Sequence, residues 1–384
     1  MKKVLNYLMG GCLLAAACTP SQKPEITGEL TGLNTDTLLV RSYPAGTRDA
    51  SLMKLDTVVV KDGKFTLSMT DSVPRLVTIF QKPSMTPNPD GSMPAMSMVA
   101  VNFMLIPQNP LTVTGTMEEY TLGGSPVYED YAGVEAQTKP FRAKVDSIMK
   151  ICQEMSQNKV SRDSIAAVYA QTDAIGEEMD QVKIDYIKQH PDKDASLLLL
   201  SELPTMQMGE LLETLAEPVR TGALSSIYTM LKEQYDKAVA REKAKELVKD
   251  GAQAPDFTLK DINGQDFTLS SLKGKYVVLD FWGSWCGWCI KGMPDMKKAY
   301  AKYKNKMEIV GIDCNDTEEK WKAAVKEHEL PWTHVRNDKG TDVSVMYAIQ
   351  GYPTKVIIDK EGKIVKTVIG EDPEFYTFLD KLLK

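Results

Sequence analysis

The decapeptide FWGSWCGWCI, residues 281–290, sets two cysteines two residues apart among three tryptophans. Cys286 and Cys289 fit a redox couple, half of a metal site or a structural clip, and the flanking residues decide between them. Ahead of the pair, residues 276–281 (YVVLDF) form an apolar run with the length of a buried strand. Behind it, residues 290–304 read as a helix in which Pro294 predicts a kink. A helix start offers free N–H groups and the positive end of a dipole, which stabilise a thiolate on Cys286. That thiolate is the species that attacks a disulfide. The two-residue spacing puts the second sulfur within bonding reach, and Cys289, one turn in, is expected to be the more buried and to resolve the mixed disulfide.

Two further features point the same way. Asp280 interrupts the apolar strand six residues before Cys286. Burial there raises a carboxyl pKa, so that Asp280 can take the proton of Cys289 as that thiol attacks; the alternative is a hydrogen-bonded core aspartate. Residues 351–354 (GYPT) precede another apolar run. Pro353 fits a cis peptide whose turn brings backbone near the sulfurs and shapes a substrate groove; the alternative is a strand-opening proline. Trp285, Trp288 and Tyr352 would supply an apolar, substrate-binding rim.

The chain has 384 residues, enough for two or three domains, with 43% hydrophobic and 26% charged residues. A net charge of −6 leaves no basic surplus for nucleic acid. Residues 1–17 read as a signal peptide: Lys2 and Lys3, a short apolar run, then Ala15, Ala16 and Ala17. Cys18 follows, and residues 18–24 form a polar linker. Small residues before Cys18 resemble a bacterial lipoprotein signal, with Ala15 where such signals usually carry Leu. The resemblance implies a lipid on Cys18, export, and a periplasmic protein tethered to a membrane. With Cys12 and Cys18 in that leader, Cys152, Cys286, Cys289 and Cys314 remain, too few for a disulfide scaffold.

Residues 25–125 read as a β-rich domain of short strands, with Asp62-Gly63 as a hairpin turn. Met85, Met93, Met96, Met98 and Met104 gather near a loop; they are gap-filling methionines or soft Cu(I) ligands. Residues 126–250 read as a helical region, with Val145, Ile148, Met149, Cys152 and Met155 on one stripe and single helices over 195–216 and 222–248. Cys152 is a core thiol on this pattern. Residues 251–384 alternate strands and helices in the order βαβα–ββα, with turns at Asn263-Gly264 and 361–363, which predicts an α/β sheet covered on both faces.

With these residues in view, 251–384 resembles the TlpA/ResA-like group of thioredoxin-fold proteins. The resemblance rests on Ala254-Pro255-Asp256-Phe257, on Phe281-Trp282-Gly283-Ser284-Trp285 before the pair, on Pro294, and on Tyr352-Pro353. It implies a thiol–disulfide oxidoreductase without cofactor, more often a reductant, which exchanges with exported proteins and draws electrons from a membrane donor. The chain departs from the group at Trp288, where Pro is frequent, and at Asp280, where exported relatives often carry Asn. It also has Gly292 where some relatives place a glutamate. Residues 25–125 resemble the β-rich domain set ahead of such modules in Gram-negative lipoproteins, and residues 25–250 would serve docking or self-association.

Other readings compete. Cys286, Cys289, Cys314 and His328 can be written as a zinc set, but no second CxxC exists, and His190, His328 and His334 are isolated from one another. Covalent haem needs His after Cys289, where Ile290 stands. A thiol peroxidase of the peroxiredoxin type would carry Thr or Ser at 283 and Pro at 279, where Gly283 and Leu279 stand. A redox-sensing or metal-binding interaction module is the remaining alternative. Cys314, at the end of a predicted strand, is either a shielded thiol or a third exchanging one.

Overall fold

A computed structural model describes residues 25–47, 52–69, 73–82, 99–337 and 340–384. Cys18, the leader and linker around it, and Met85, Met93, Met96 and Met98 lie outside the described residues. The described residues divide between two compact units that meet in sequence at Lys232 and Glu233.

The first unit opens with strands β1 (Glu25–Leu30), β2 (Thr37–Pro44), β3 (Lys54–Val59), β4 (Lys64–Ser68), β5 (Arg75–Gln81), β6 (Ala100–Leu105), β7 (Leu111–Gly115) and β8 (Tyr120–Gly123). They form two four-stranded sheets, ordered β4-β1-β7-β8 and β3-β2-β5-β6. Period-two burial gives each sheet its apolar face, as in β2, where Leu38 and Val40 are buried and Leu39 is less so. The hairpin expected at Asp62-Gly63 is present only as a turn. Lys61 and Lys64 exchange backbone hydrogen bonds at 2.9 Å, and Asp62 and Gly63 both have positive φ. The strands then part, because β3 pairs with β2 and β4 pairs with β1. One tight turn thus passes the chain from one sheet to the other.

Helices follow: α1 (Pro126–Gln157), α2 (Arg162–Tyr169), α3 (Gln171–Gln189), α4 (Asp194–Leu200), α5 (Met208–Thr214), α6 (Glu217–Thr221) and α7 (Ser225–Lys245), within which the division at Lys232 falls. The single helix expected over 195–216 is broken at Pro204, which cannot donate to the preceding turn, and α4 and α5 are separated by a short 3₁₀ turn. Cys152 is a buried thiol of α1, as its stripe predicts, whereas Met149 of that stripe is exposed.

The second unit contains β9 (Thr258–Lys260), β10 (Asp266–Thr268), β11 (Tyr276–Trp282), α8 (Gly287–Tyr303), β12 (Met307–Asp313), α9 (Glu318–Glu327), β13 (Thr333–Arg336), α10 (Val343–Met346), β14 (Thr354–Ile358), β15 (Ile364–Ile369) and α11 (Pro373–Leu382). The predicted hairpins at Asn263-Gly264 and 361–363 join β9 to β10 and β14 to β15. The main sheet runs β13-β12-β11-β14-β15, with β11, β12 and β13 parallel and β14 and β15 antiparallel. Edge strand β13 and the short α10 are additions to the predicted order. Four residues containing His334 and Arg336 give too little apolar pattern to read as a strand.

Alternation along β11 builds a core on each face. Val278 and Trp282 join the cysteines, Met293 and Met296 of α8, and Phe375 and Leu379 of α11. Val277, Leu279 and Phe281 face the opposite layer, with Phe257, Val343 and Tyr347. This is the α/β thioredoxin-like arrangement, preceded by a β-sheet region and a helical region. Phe375 is 1% exposed, and its removal opens a cavity beneath α11. Phe375→Ala is expected to destabilise the second unit by about 3–5 kcal/mol. All five tryptophans lie between Trp282 and Trp332, so the urea midpoint read by tryptophan fluorescence isolates that unit.

Candidate active site

The site forms where β11 ends and α8 begins. Cys286 is the N-cap of α8, and its sulfur accepts the backbone N–H of Cys289 at 3.1 Å. The positive end of the helix thus falls on the residue that a nucleophilic thiol requires. Cys286 and Cys289 are joined in a disulfide with an S–S distance of 2.05 Å. The two are almost equally buried, at 5% and 6% exposure, so the expected ranking, with Cys289 the deeper, does not hold in the disulfide form. In that form both sulfurs are bonded to each other and share the cover of one apolar cluster.

The connection from β11 to α8 is held from the end of β12. The backbone N–H and the hydroxyl of Ser284 donate to the Asp316 carboxylate at 2.6 and 2.7 Å. The Trp285 indole N–H donates to the Cys314 carbonyl at 2.9 Å. Gly283 makes room for that indole: a Cβ there would lie 2.4 Å from Trp285 Nε1. Asp316 was not a sequence candidate; an acid three residues beyond the end of β12 carries no signal until the parallel register brings it beside the loop. Asp313, fully buried, is pushed up to about 9 by burial and then by Asp316.

The Tyr352–Pro353 peptide is cis, and Pro353 is buried. The Tyr352 ring meets Trp285 edge-on with centroids 5.3 Å apart, which joins the proline loop to the cysteine loop. Trp285 and Trp288 remain 52% and 63% exposed, and Lys291 lies over the Trp288 ring. Two large apolar side chains are thus kept in water next to the cysteines in sequence. Cys314 is buried at 1% exposure, and burial pushes its thiol up to about 12, so it is a shielded thiol near neutral pH. Among the described residues, no three His, Cys, Asp or Glu side chains gather where a metal ion could be held.

Asp280 lies on the face of β11 shared with Val278 and Trp282, the face that packs against α8. Its neighbours in register are Gly311 on β12 and Lys355 on β14. One carboxyl oxygen has no hydrogen-bond partner among the described residues. Burial, chiefly, pushes the carboxyl up to about 6, with Lys355 opposing and Glu371 adding to the rise. Lys355 and Glu371 were missed in the sequence. A lysine inside the apolar strand TKVII was the available signal.

Residues 251–367 match the family model described as the AhpC/TSA family, and residues 25–131 match a domain of unknown function (DUF4369). The chain is 44% identical over 128 residues to the thiol-disulfide oxidoreductase ResA of Bacillus cereus, covering 33% of this chain and 73% of that protein. It is 35% identical over 153 residues to ResA of Bacillus subtilis, covering 40% of this chain and 84% of that one. A crystal structure of the thioredoxin domain of a thiol-disulfide oxidoreductase from Bacteroides vulgatus is 32% identical, with a TM-score of 0.33, covering 36% of this chain and 99% of the other.

The buried carboxyl links this site to stability. Folded Asp280 holds its proton up to about pH 6, whereas an unfolded aspartate ionises near about 3.9. Stability contributed by the neutral form is therefore full below about pH 4 and lost as pH rises to about 6. Asp280→Asn keeps the shape without the charge. It is expected to stabilise the oxidised second unit at pH 7 by on the order of 2–3 kcal/mol, and to give no advantage at pH 4. Urea denaturation at the two pH values checks this.

Proposed function

We propose, from the premise that this chain belongs through its C-terminal domain to the family of ResA-type thiol-disulfide oxidoreductases and is an enzyme of that class, that it reduces disulfides of exported proteins. The observation that carries the reading is Cys286 at the N-cap of α8, in disulfide linkage with Cys289. In the reduced enzyme the Cys286 thiolate attacks a substrate disulfide, and one substrate sulfur leaves as a thiol after taking a proton. Cys289 then gives its proton to Asp280 and attacks Cys286. The Cys286–Cys289 bond forms, the mixed disulfide breaks, and the second substrate sulfur leaves. Two electrons have passed to the substrate, and a membrane electron donor restores the dithiol. Trp285, Trp288 and Tyr352 hold the substrate segment beside the turn at Pro353.

The lipoprotein-like leader supports lipid on Cys18 and a periplasmic site on a membrane surface. Among the described residues, no helix is long and apolar enough to cross a membrane. Residues 25–250 then act as a docking or self-association platform between the anchor and the redox domain. Cys18→Ser is expected to move the protein from the membrane fraction to the soluble one, with loss of incorporated labelled fatty acid.

Cys289→Ser leaves the attacking thiol without its resolving partner. This variant is expected to accumulate mixed disulfides through Cys286, seen as adducts on non-reducing gels that a reductant removes, whereas Cys286→Ser forms none. Titration of the wild-type pair, read by alkylation and mass, is expected to give one two-electron couple near about −270 mV. A midpoint near about −120 mV would make the enzyme a disulfide donor. Rapid turnover of hydrogen peroxide without disulfide exchange would move the assignment to a thiol peroxidase.

A further inference from the structure

The mechanism above uses Asp280 but leaves unused the charged cluster beside it. Lys355 is 2% exposed and donates to Glu371 Oε2 at 2.8 Å, and its ammonium also lies 5.5 Å from the centre of the Phe375 ring. The other Glu371 oxygen accepts the Tyr376 hydroxyl at 2.9 Å. Lys355 is the direct cross-strand neighbour of Asp280, and alternation puts both on the face covered by α8. Glu371 reaches this place only because residue 292 has no side chain. A Cβ on Gly292 would lie 2.3 Å from Glu371 Oε2 and 2.4 Å from its Cδ. Gly292 stands one turn along α8 from Cys289, so the carboxylate occupies the space of an α8 side chain on the face of the resolving cysteine.

We propose that Glu371 and Lys355 are positioning residues of the exchange reaction: the carboxylate, admitted by Gly292, holds the Lys355 ammonium and governs how readily Asp280 accepts the proton of Cys289. The inference rests on the oxidoreductase reading of the site. The charged and titratable groups that bear on Asp280 are Lys355 from β14, Glu371 after β15, Tyr376 from α11, Cys314 after β12, and the cysteines of α8. Lys355 favours the ionised carboxylate and Glu371 disfavours it. With both present, their effects oppose, and desolvation decides where Asp280 titrates. During resolution Cys289 loses a proton to Asp280, the Cys286–Cys289 bond forms, and the departing thiolate is protonated from Asp280 or water.

The test follows that step alone. Reduced full-length protein is mixed with oxidised glutathione across pH 4–9 (an experimental range of about five units), quenched in acid and weighed, which separates the Cys286–glutathione adduct from the internal disulfide. For the wild type, resolution is expected to rise through the titration of Asp280. Glu371→Gln leaves Lys355 uncompensated and is expected to move that midpoint down by about one pH unit; Lys355→Met is expected to move it up by about one unit. The double variant removes both charges and is expected to return close to the wild type. Gly292→Ala changes no charge but displaces the carboxylate, and is expected to shift in the direction of Glu371→Gln. A structural role alone would slow every variant without moving midpoints in opposite directions. Unmoved midpoints, or shifts of one sign, in variants that still form the adduct overturn the inference and leave the oxidoreductase reading intact. Wild-type protein that forms neither adduct nor internal disulfide with glutathione overturns both.

Discussion

The architecture around the site depends on one demand, the unpaired N–H groups at the start of α8. An α-helix begins with four donors that have no partner in the helix. Here the Cys289 N–H finds its acceptor in the sulfur of Cys286. To place a sulfur there, the chain must leave a buried strand and enter a helix within a few residues. The loop that does so is pinned by groups just beyond β12, the Cys314 carbonyl and the Asp316 carboxylate. Those groups are adjacent because β11 and β12 run parallel in a register that sets Trp282 beside Asp313. The parallel sheet thus positions the sulfur of Cys286 at the end of a strand that is buried from Val277 to Trp282.

Much of this was legible in the sequence, for reasons that also mark its limits. Apolar runs such as YVVLDF and MEIVGID declared β11 and β12, and the cysteines were placed at a helix start by the strand before them and the helical pattern after them. Asp280 stood out because a carboxylate in such a run is costly. Local hairpin pairing was legible at Asn263-Gly264 and 361–363, but long-range pairing was not. The Asp62-Gly63 turn has the local chemistry of a hairpin, yet its strands join different sheets, because long-range pairing with β1 and β2 prevails. The burial of Cys286 was likewise hidden, since it comes from neighbours distant in the chain. Lys355 and Glu371 are separated by sixteen residues and meet only through the β14–β15 hairpin.

Three glycines show a further kind of information that a residue list conceals. Gly283 leaves room for the Trp285 indole, Gly292 for the Glu371 carboxylate, and Gly311 for the rings of His334 and Trp282. Each was visible as a letter, but what fills the missing side chain belongs to another element. Close packing makes such exchanges specific, because an interior has few voids larger than a water molecule. At Gly292 the exchange bears on chemistry as well as shape in the proposed mechanism. A carboxylate from the segment after β15 arrives there in the space of a helix side chain.

Stability alone gives a poor account of that cluster. Taking two charges out of water costs several kcal/mol per ion, and apolar replacements of a buried pair are often as stable or more so. The strand that carries Lys355 continues as Val356, Ile357 and Ile358, all buried, so an apolar residue would suit the position. Asp280 is a second departure on the same face, with one oxygen unpartnered and its carboxyl held up to about 6 by burial. Each of these residues works against the apolar core in which it sits. In the proposed mechanism they lie beside the one step that needs a proton acceptor inside the protein, the attack by Cys289. A core that only had to hold the sheet together would have no reason to keep an acid, a base and a second acid within one layer under α8. A core that must take up and release a proton near neutral pH needs such a layer, because burial sets the range in which Asp280 titrates and the neighbouring pair adjusts it.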